Sequence, residues 1–542
     1  MIKGIQNKLA KLLSMPGVTY LILAIAILVR CIQLIFFYNM GTDNSYLFLA
    51  TQALVSGNGF TLPYVPSNDL SSTFHEPMIM WPPGYSFVLS PVYLLLNKNY
   101  IVTGILVDAI FATFLIVYAR KILHLFSIPI YLVNVFTLFT AFFTYFFYYH
   151  PSTDSIAISV YIIAVYYSFH ALKNNSHWIR NGIMISVCLI SCGLLKYLFI
   201  PPAFVPSIFL LILGIFKKHK NLTLLGLCSF LALLIGMLSL YVYQKNVSGS
   251  AGYISAQGRG LYLENLKAYH PYYLFSFIRE ETLSMITGIE TITFHKAFKI
   301  LHIILFIINI MVLFYLIFKK GINKLNLHEQ FFLLASGIII TITLLLASLS
   351  LVVEKELILD RMLWTYIQEA RYYGLITVLL HLNFFIFFQK HHRKLLFRSV
   401  LIGCMFLLFF EFCRGIVFVK NRIQLFGKEE YSWKKDLRIQ RFADGLIQDY
   451  KNKYSVENVV IGSSEEFYRN RVSLYNQISM LKDEKLLNNQ EVLKSSKSTL
   501  LLVIIKADDQ HKYKEFLKKN PDKLIGRFEK YSFYSLLIQP AS

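Results

Sequence analysis

Apolar stretches of about 20 residues recur between positions 18 and 420 and then stop. As a helix, a stretch of that length crosses a hydrocarbon layer of about 30 Å. The pattern predicts spans at 18–38, 100–118, 128–148, 155–172, 181–199, 203–216, 221–243, 297–318, 328–353, 372–389 and 396–418, about eleven in all. The 203–216 stretch is the shortest of them. The first is preceded by a basic, amphipathic segment, 1–16. The apolar stretch 18–38 itself is too long for a signal-peptide core and has no small-residue cleavage site, so it reads as a span. The apolar stretch 85–96 is short, follows Pro82-Pro83 and contains Pro91. It is expected to lie at the interface as a re-entrant or surface helix.

Beyond 420 the periodicity changes. Buried strands are expected at 456–461 and 499–505, with helices at 465–475 and 509–519, which makes a small α/β layer. The fold class is therefore an α-helical polytopic membrane protein with a small C-terminal α/β soluble domain. The expected division is a membrane domain, 1–420, and a soluble domain, 421–542. The Gly462-Ser463-Ser464 turn could hold a phosphate at a helix N-terminus, although a plain strand-to-helix cap is commoner.

Composition agrees with this reading, because 56% of the 542 residues are hydrophobic and 15% charged, a balance that no water-soluble core could bury. The net charge of +22 would suit nucleic acid only if the basic residues gathered on a soluble face. Many sit in short loops instead, which is a topology signal. Lys3, Lys8 and Lys11, then Arg120/Lys121 and the clusters at 173–180, 217–220, 319–324 and 390–394, are expected to face the cytoplasm. These clusters share one side only if 85–96 does not cross. An odd number of spans then puts 39–99, 149–154, 244–296, 354–371 and the tail in one extracytoplasmic compartment. The abundance of Lys, Asn, Phe and Tyr suggests an AT-rich bacterial genome, which favours the bacterial inner membrane.

Several classes are set aside by what the chain does not carry. The six cysteines lie in or beside apolar stretches, with no disulfide framework or zinc spacing. There is no GxGxxG after a strand and no Walker lysine, which weighs against a soluble nucleotide-sugar donor. No hydropathy repeat marks an inverted-repeat transporter.

The candidate chemistry lies on the outer side. Asp43, just beyond the first span, could act as a general base at headgroup depth; alternatively Thr42, Asp43 or Asn44 merely caps the interfacial helix expected at 46–55. His75 and Glu76 could bind a metal or an acceptor, though such a pair is more often structural. Asp154 could position an acceptor or a divalent cation, or be a helix cap. Departure of a phosphate-linked carrier needs positive charge. Arg371, followed by Tyr372, is the first candidate for that, and Lys196 the second, with snorkelling as the alternative for both. Arg361 and Glu369 could pair with these groups. Arg259 and Glu264 lie in the loop 244–296, where Gly249, Gly252, Gly258 and Gly260 would permit folding over a substrate.

The string GTDNSYLFLATQALVSGNGF followed by HEPMIMWPPGYS resembles the first outer loop of the GT-C glycosyltransferase superfamily, in its dolichyl-phosphate-mannose protein mannosyltransferase-like and aminoarabinose transferase-like branch. Asp43 falls on the loop acid which that family uses as catalytic base. Asn44 departs from a second acid often found beside it, which weakens a paired-acid metal site. Asp154 looks like the family's acid after the third span, and Arg371-Tyr372 like its Arg-Tyr pair at the outer start of a late span. Lys196 is similar to a basic residue before a proline in some members. The resemblance covers the chain to about 388, and the tail matches nothing. It implies an inverting transferase that takes a sugar from a polyprenyl-phosphate donor to a lipid, glycan or protein acceptor. No cofactor is required in such a transferase, and a divalent cation is possible but dispensable. The competing readings are a transporter or flippase of a polyprenyl-linked glycan and an inactive membrane scaffold.

Overall fold

The structure is a computed structural model that describes residues 2–37, 41–142, 153–174, 177–250, 261–267, 269, 278–289, 291–352, 370–391, 395–426 and 433–540. Contacts divide the chain into two compact units, Met1–Ile35 with Ile105–Arg422, and Phe36–Gly104 with Ile423–Ser542.

The first unit is helical. Among the described residues nine helices are long and apolar enough to cross a membrane: Pro16–Phe36, Tyr100–Leu125, Thr153–Lys173, Trp178–Leu195, Tyr197–Phe216, Lys220–Ser248, Ile300–Lys324, Leu327–Val352 and Leu401–Leu425. Their number and hydropathy make the chain a multi-pass membrane protein. Two shorter apolar helices, Ile130–Phe142 and Gly374–Lys390, fall on the two remaining expected spans. Positions 143–148 of the expected third span lie outside the described residues. The helix at 203–216 starts earlier than its apolar run suggests, because Pro201 and Pro202 occupy its first turn, where a missing N–H goes unnoticed.

Glycine lets two of these helices approach closely. A Cβ at Gly226 would lie 2.3 Å from the Leu211 N, and one at Gly214 would lie 2.4 Å from the Thr223 N. Such contact compensates for the weak hydrophobic drive between helices already solvated by lipid. Arg120, expected to mark a cytoplasmic loop, lies inside the Tyr100–Leu125 helix and is buried. Its guanidinium donates to Asn134 Oδ1 at 3.0 Å and to Thr137 Oγ1 at 2.5 Å. Asn134 Nδ2 in turn donates to the Leu13 carbonyl and to Thr19 Oγ1. The helix continues past the expected end at 118, and the buried charge is tolerated because it finds neutral acceptors.

The second unit is an α/β layer with one seven-stranded sheet. The strands are β1 (Thr61–Val65), β2 (Phe74–Pro77), β3 (Asn458–Ser463), β4 (Ser479–Leu481), β5 (Thr499–Lys506), β6 (Leu524–Phe528) and β7 (Tyr531–Ile538). Their order is β2-β1-β4-β3-β5-β7-β6. β1, β4, β3 and β5 run parallel, and the outer pairs are antiparallel. All but the last residue of β5 is buried, as the centre of a sheet covered on both faces requires. One face packs Val460, Leu501, Val503 and Ile505 against Leu487, Phe516 and Tyr534. The helix Trp433–Tyr454 sets Phe442 against Phe533 and Phe528 of the hairpin at the far edge.

The division thus departs from a single boundary at 420/421, because the first outer loop belongs with the tail. β1 pairs with β4 at Tyr64↔Met480 and Val65↔Leu481. The expected interfacial helix runs over Thr42–Val55, and every residue from Asn44 to Thr51 is buried. It is enclosed by the Gly84–Leu95 helix, β1 and the Glu466–Asn476 helix. A helix apolar on all sides, as 46–50 and 53–55 make this one, is a buried helix rather than a surface-lying one.

Candidate functional site

In the helical unit, three of the residues singled out in the sequence meet at one point. Asp154 lies in the first turn of Thr153–Lys173 and is 2% exposed. Lys196 sits between helices, in extended backbone (φ −157°, ψ 132°) after Leu195 closes one helix and before a 3₁₀ turn leads into the next. The break frees its side chain from the helix surface, and Nζ reaches the Asp154 carboxylate at 2.5 Å. The same ammonium lies 4.6 Å from the centre of the Tyr372 ring. Tyr372 belongs to the 3₁₀ turn Ala370–Tyr373, which precedes the Gly374–His391 helix. The start of one helix, the end of a second and the start of a third are therefore brought together around one cation.

A further acid at this point went unmarked in the sequence. Asp108, inside Tyr100–Leu125 and 2% exposed, accepts a hydrogen bond from Ser155 Oγ at 2.6 Å, one residue along from Asp154. The available signal was a lone carboxylate in the run 100–118, which inside a span calls for a functional explanation. Arg371 shares the backbone turn of Tyr372, and its side chain lies outside the described residues. Arg361, Glu369, Arg259, Gly252, Gly258 and Gly260 also lie outside them. Gly249 ends the Lys220–Ser248 helix at φ +75°, a capping role that needs no hinge. Glu264 is exposed on a short turn whose neighbours dock on the end of Leu327–Val352, with Asn265 Nδ2 donating to the Ser350 carbonyl at 3.0 Å.

In the α/β unit, Asp43 is half-buried in the first turn of Thr42–Val55. The N-cap is Gly41, and it makes no side-chain capping bond. Thr42, Asp43 and Asn44 are therefore all inside the helix, and the capping alternative for Asp43 gives way to an acid in the first turn, where the helix dipole favours negative charge. Asn470 Nδ2 donates to Ser45 Oγ at 3.2 Å, and Arg469 Nη2 donates to the Tyr46 hydroxyl at 3.1 Å. Tyr46 also stacks on Trp81, with ring centres 5.6 Å apart. These contacts join the early turns of two packed helices, Thr42–Val55 and Glu466–Asn476. The second follows β3, which puts both N-termini, and Asp43, at the carboxyl edge of the four parallel strands. Ligand sites of open α/β layers gather at that edge.

Arg469 anchors this edge. It donates to Glu484 Oε1 at 3.1 Å and to the Leu481 carbonyl, and lies 5.9 Å from the Tyr64 ring. Burial works against its charge, but Tyr46, Tyr64 and Glu484 outweigh that and raise its pKa. Burial likewise pushes the Tyr46 phenol well above its usual range, against the pull of Arg469.

His75 and Glu76 do not converge. They are neighbours on β2, paired with Pro63 and Leu62 of β1, and successive strand residues face opposite sides. His75 Nδ1 lies 3.3 Å from Thr61 Oγ1, and Glu76 pairs with Lys482 at 2.8 Å. At the Gly-Ser-Ser turn, Ser463 Oγ accepts from the Glu465 N–H and Ser464 Oγ from the Lys506 N–H, while the Glu465 carboxylate pairs with Lys506 at 2.6 Å. Acids at that helix start serve as its own anions, which disfavours a phosphate there. Among the described residues no group of three or more His, Cys, Asp or Glu is placed to hold a metal ion.

No family model and no curated protein matches the sequence. Among solved structures, the chain is similar to ArnT from Cupriavidus metallidurans bound to undecaprenyl phosphate, with a TM-score of 0.47 and 13% identity over 96% of this chain and 98% of that one. The apo state of the same protein gives the same values. The apo oligosaccharyltransferase of Archaeoglobus fulgidus is similar with a TM-score of 0.45 and 11% identity, over 92% of this chain and 71% of that one. At such distances the chemistry has to be argued from the chain's own residues.

Proposed function

We propose that the protein is an inverting membrane glycosyltransferase that moves a sugar from a polyprenyl-phosphate carrier to an acceptor hydroxyl at the extracytoplasmic face of a bacterial inner membrane. The N-terminus is inside and the tail outside, following the distribution of lysine and arginine. The observation that carries the reading is the half-buried Lys196 ammonium, held by Asp154 and Tyr372. An ammonium is a compact charge with three donors, and the two partners orient it.

In the reaction, the Asp43 carboxylate takes the proton of the acceptor hydroxyl as its oxygen attacks the anomeric carbon. The bond from that carbon to the phosphate oxygen breaks on the opposite face, and its electron pair leaves with the carrier. Lys196 and Arg371 stabilise the charge that grows on the phosphate, and Asp154 and Tyr372 orient the lysine. No cofactor is assigned a step. A divalent cation on the carrier phosphate would add to the two basic groups, not replace them. The acceptor class, whether lipid, glycan or protein, is left to the assay.

The test is transfer of radiolabelled sugar from polyprenyl-phosphate donors to membrane acceptors, comparing the intact protein with Asp43→Asn at equal folded amounts. A loss of at least about a hundredfold is expected. Equal transfer by both proteins overturns the base assignment. Buried charge inside spans favours a second reading, a flippase for a polyprenyl-linked glycan. Arg30 is 3% exposed in Pro16–Phe37 and donates to the Thr140 carbonyl at 3.2 Å. That reading predicts movement of a labelled carrier across vesicles without any bond being broken.

A further inference from the structure

We propose that Asn470, on the tail helix Glu466–Asn476, is a positioning residue for the Asp43 carboxylate and acts through Ser45; this rests on the reading of Asp43 as the base. The first turn of Thr42–Val55 has Gly41 as its N-cap and no side-chain capping bond. First turns left in that state fray, because their leading N–H groups lack partners inside the helix. Here a relay ties the turn down by a different bond, to a carbonyl and not to the leading N–H groups. Asn470 Nδ2 donates to Ser45 Oγ at 3.2 Å, and Ser45 Oγ donates to the Thr42 carbonyl at 2.6 Å. That carbonyl belongs to the peptide group whose nitrogen is Asp43's own, so the relay ends on the backbone that aims the carboxylate.

Both relay side chains are fully buried, at 0% exposure each. Water therefore cannot substitute for either partner, and the two bonds persist or fail together. Asn470 Oδ1 is also buried, with no hydrogen-bond partner among the described residues, so the amide is held for what its N–H group does. Arg469 supports the next position by its bond to the Tyr46 hydroxyl. The tail, some 400 positions away in sequence, thus supplies the stiffness that a base needs to meet a hydroxyl in the productive direction.

The proposal separates positioning from plain packing by where the loss falls. Asn470→Ala and Ser45→Ala should each lower kcat for sugar transfer about tenfold, with KM for the polyprenyl-phosphate donor changed less than about twofold. Combined with Asp43→Asn, either change should cost less than about twofold more, since no base is left to aim. Thermal unfolding in detergent, followed in parallel, should show the variants folded at the assay temperature. Wild-type kcat in both Asn470→Ala and Ser45→Ala would sink the proposal. So would an equal proportional loss with and without Asp43, which marks packing. Failure of the base reading looks different: Asp43→Asn itself would then transfer sugar at the wild-type rate, and both proposals fall together. An impaired Asp43→Asn beside unimpaired relay variants removes this proposal alone.

Discussion

The Lys196 ammonium and the Asp154 carboxylate form an ion pair at 2.5 Å, with side-chain exposures of 15% and 3%. Taking two charges out of water costs several kcal/mol each, and their attraction only offsets that. The pair is thus a weak source of stability but a severe loss if halved. Lys196→Met should destabilise the helical unit by about 3 kcal/mol through the orphaned carboxylate. Adding Asp154→Asn should recover most of that stability in a detergent melt while leaving sugar transfer abolished. Recovery of transfer along with stability would reduce the pair to scaffolding.

The glycine contact between Tyr197–Phe216 and Lys220–Ser248 carries a prediction of the opposite kind, about packing alone. Gly226→Ala places a methyl group 2.3 Å from a backbone nitrogen, which cannot swing aside as a side chain would. The hairpin must part or bend, at a cost of about 1–3 kcal/mol. A lowered thermal midpoint with unchanged donor KM in the surviving folded fraction is the expected result. An unchanged midpoint would mean that the helices slide at little cost.

Most of the helical unit was legible in the sequence, because crossing lipid imposes a length and a composition that show up as runs. The tail strands at 458–463 and 499–506 were legible for a similar reason, being buried on both faces. What escaped were relationships between distant positions. Thr61–Val65 reads as a fragment of a polar loop until its partner, Ser479–Leu481, is known, and no local pattern supplies a partner some 400 residues away. Asp108 escaped because the span 100–118 stays apolar enough to be recognised around it. Arg120 was expected in a solvated loop because the positive-charge rule treats an arginine near a span end that way, whereas Asn134 and Thr137 bury this one. Of the candidate site, Asp154 and Lys196 were chosen singly by residue type and Tyr372 through the resemblance of Arg371-Tyr372, and only the structure joins them.

Asp69 gives the α/β unit an acid-sensitive clasp. Its carboxylate accepts from the Ser496 N–H at 2.9 Å and from the Ser71 hydroxyl at 2.7 Å, and the Ser496 bond leads in lowering its pKa to about 2. A depressed folded pKa means stability fully present above the unfolded value, near 4, and lost as pH falls towards 2. Exchange protection of the Leu70 N–H, which donates to the Lys494 carbonyl, taken relative to the unfolded chain at each pH, should hold from neutral pH down to about 5 and fall below about 4. Asp69→Asn should quicken exchange at neutral pH and remove the acid dependence. Identical profiles for the two proteins would assign the clasp to the backbone bonds alone.

His75 and Glu76 supply the last test, since their residue types invite a metal or acceptor role that their strand placement does not support. Adjacent on β2, their side chains leave opposite faces of the sheet, one towards Thr61 and the other towards Lys482. The Glu76–Lys482 pair is largely open to solvent, with side-chain exposures of 36% and 54%, and exposed pairs contribute about 0–1 kcal/mol. His75→Ala and Glu76→Gln, singly and together, should therefore leave transfer within about twofold of the intact protein and the melting midpoint nearly unmoved. Adding a chelator should change nothing that depends on this pair. A large loss of transfer in the double variant, at unchanged stability, would instead place the acceptor against this edge of the sheet and make β2 part of the site.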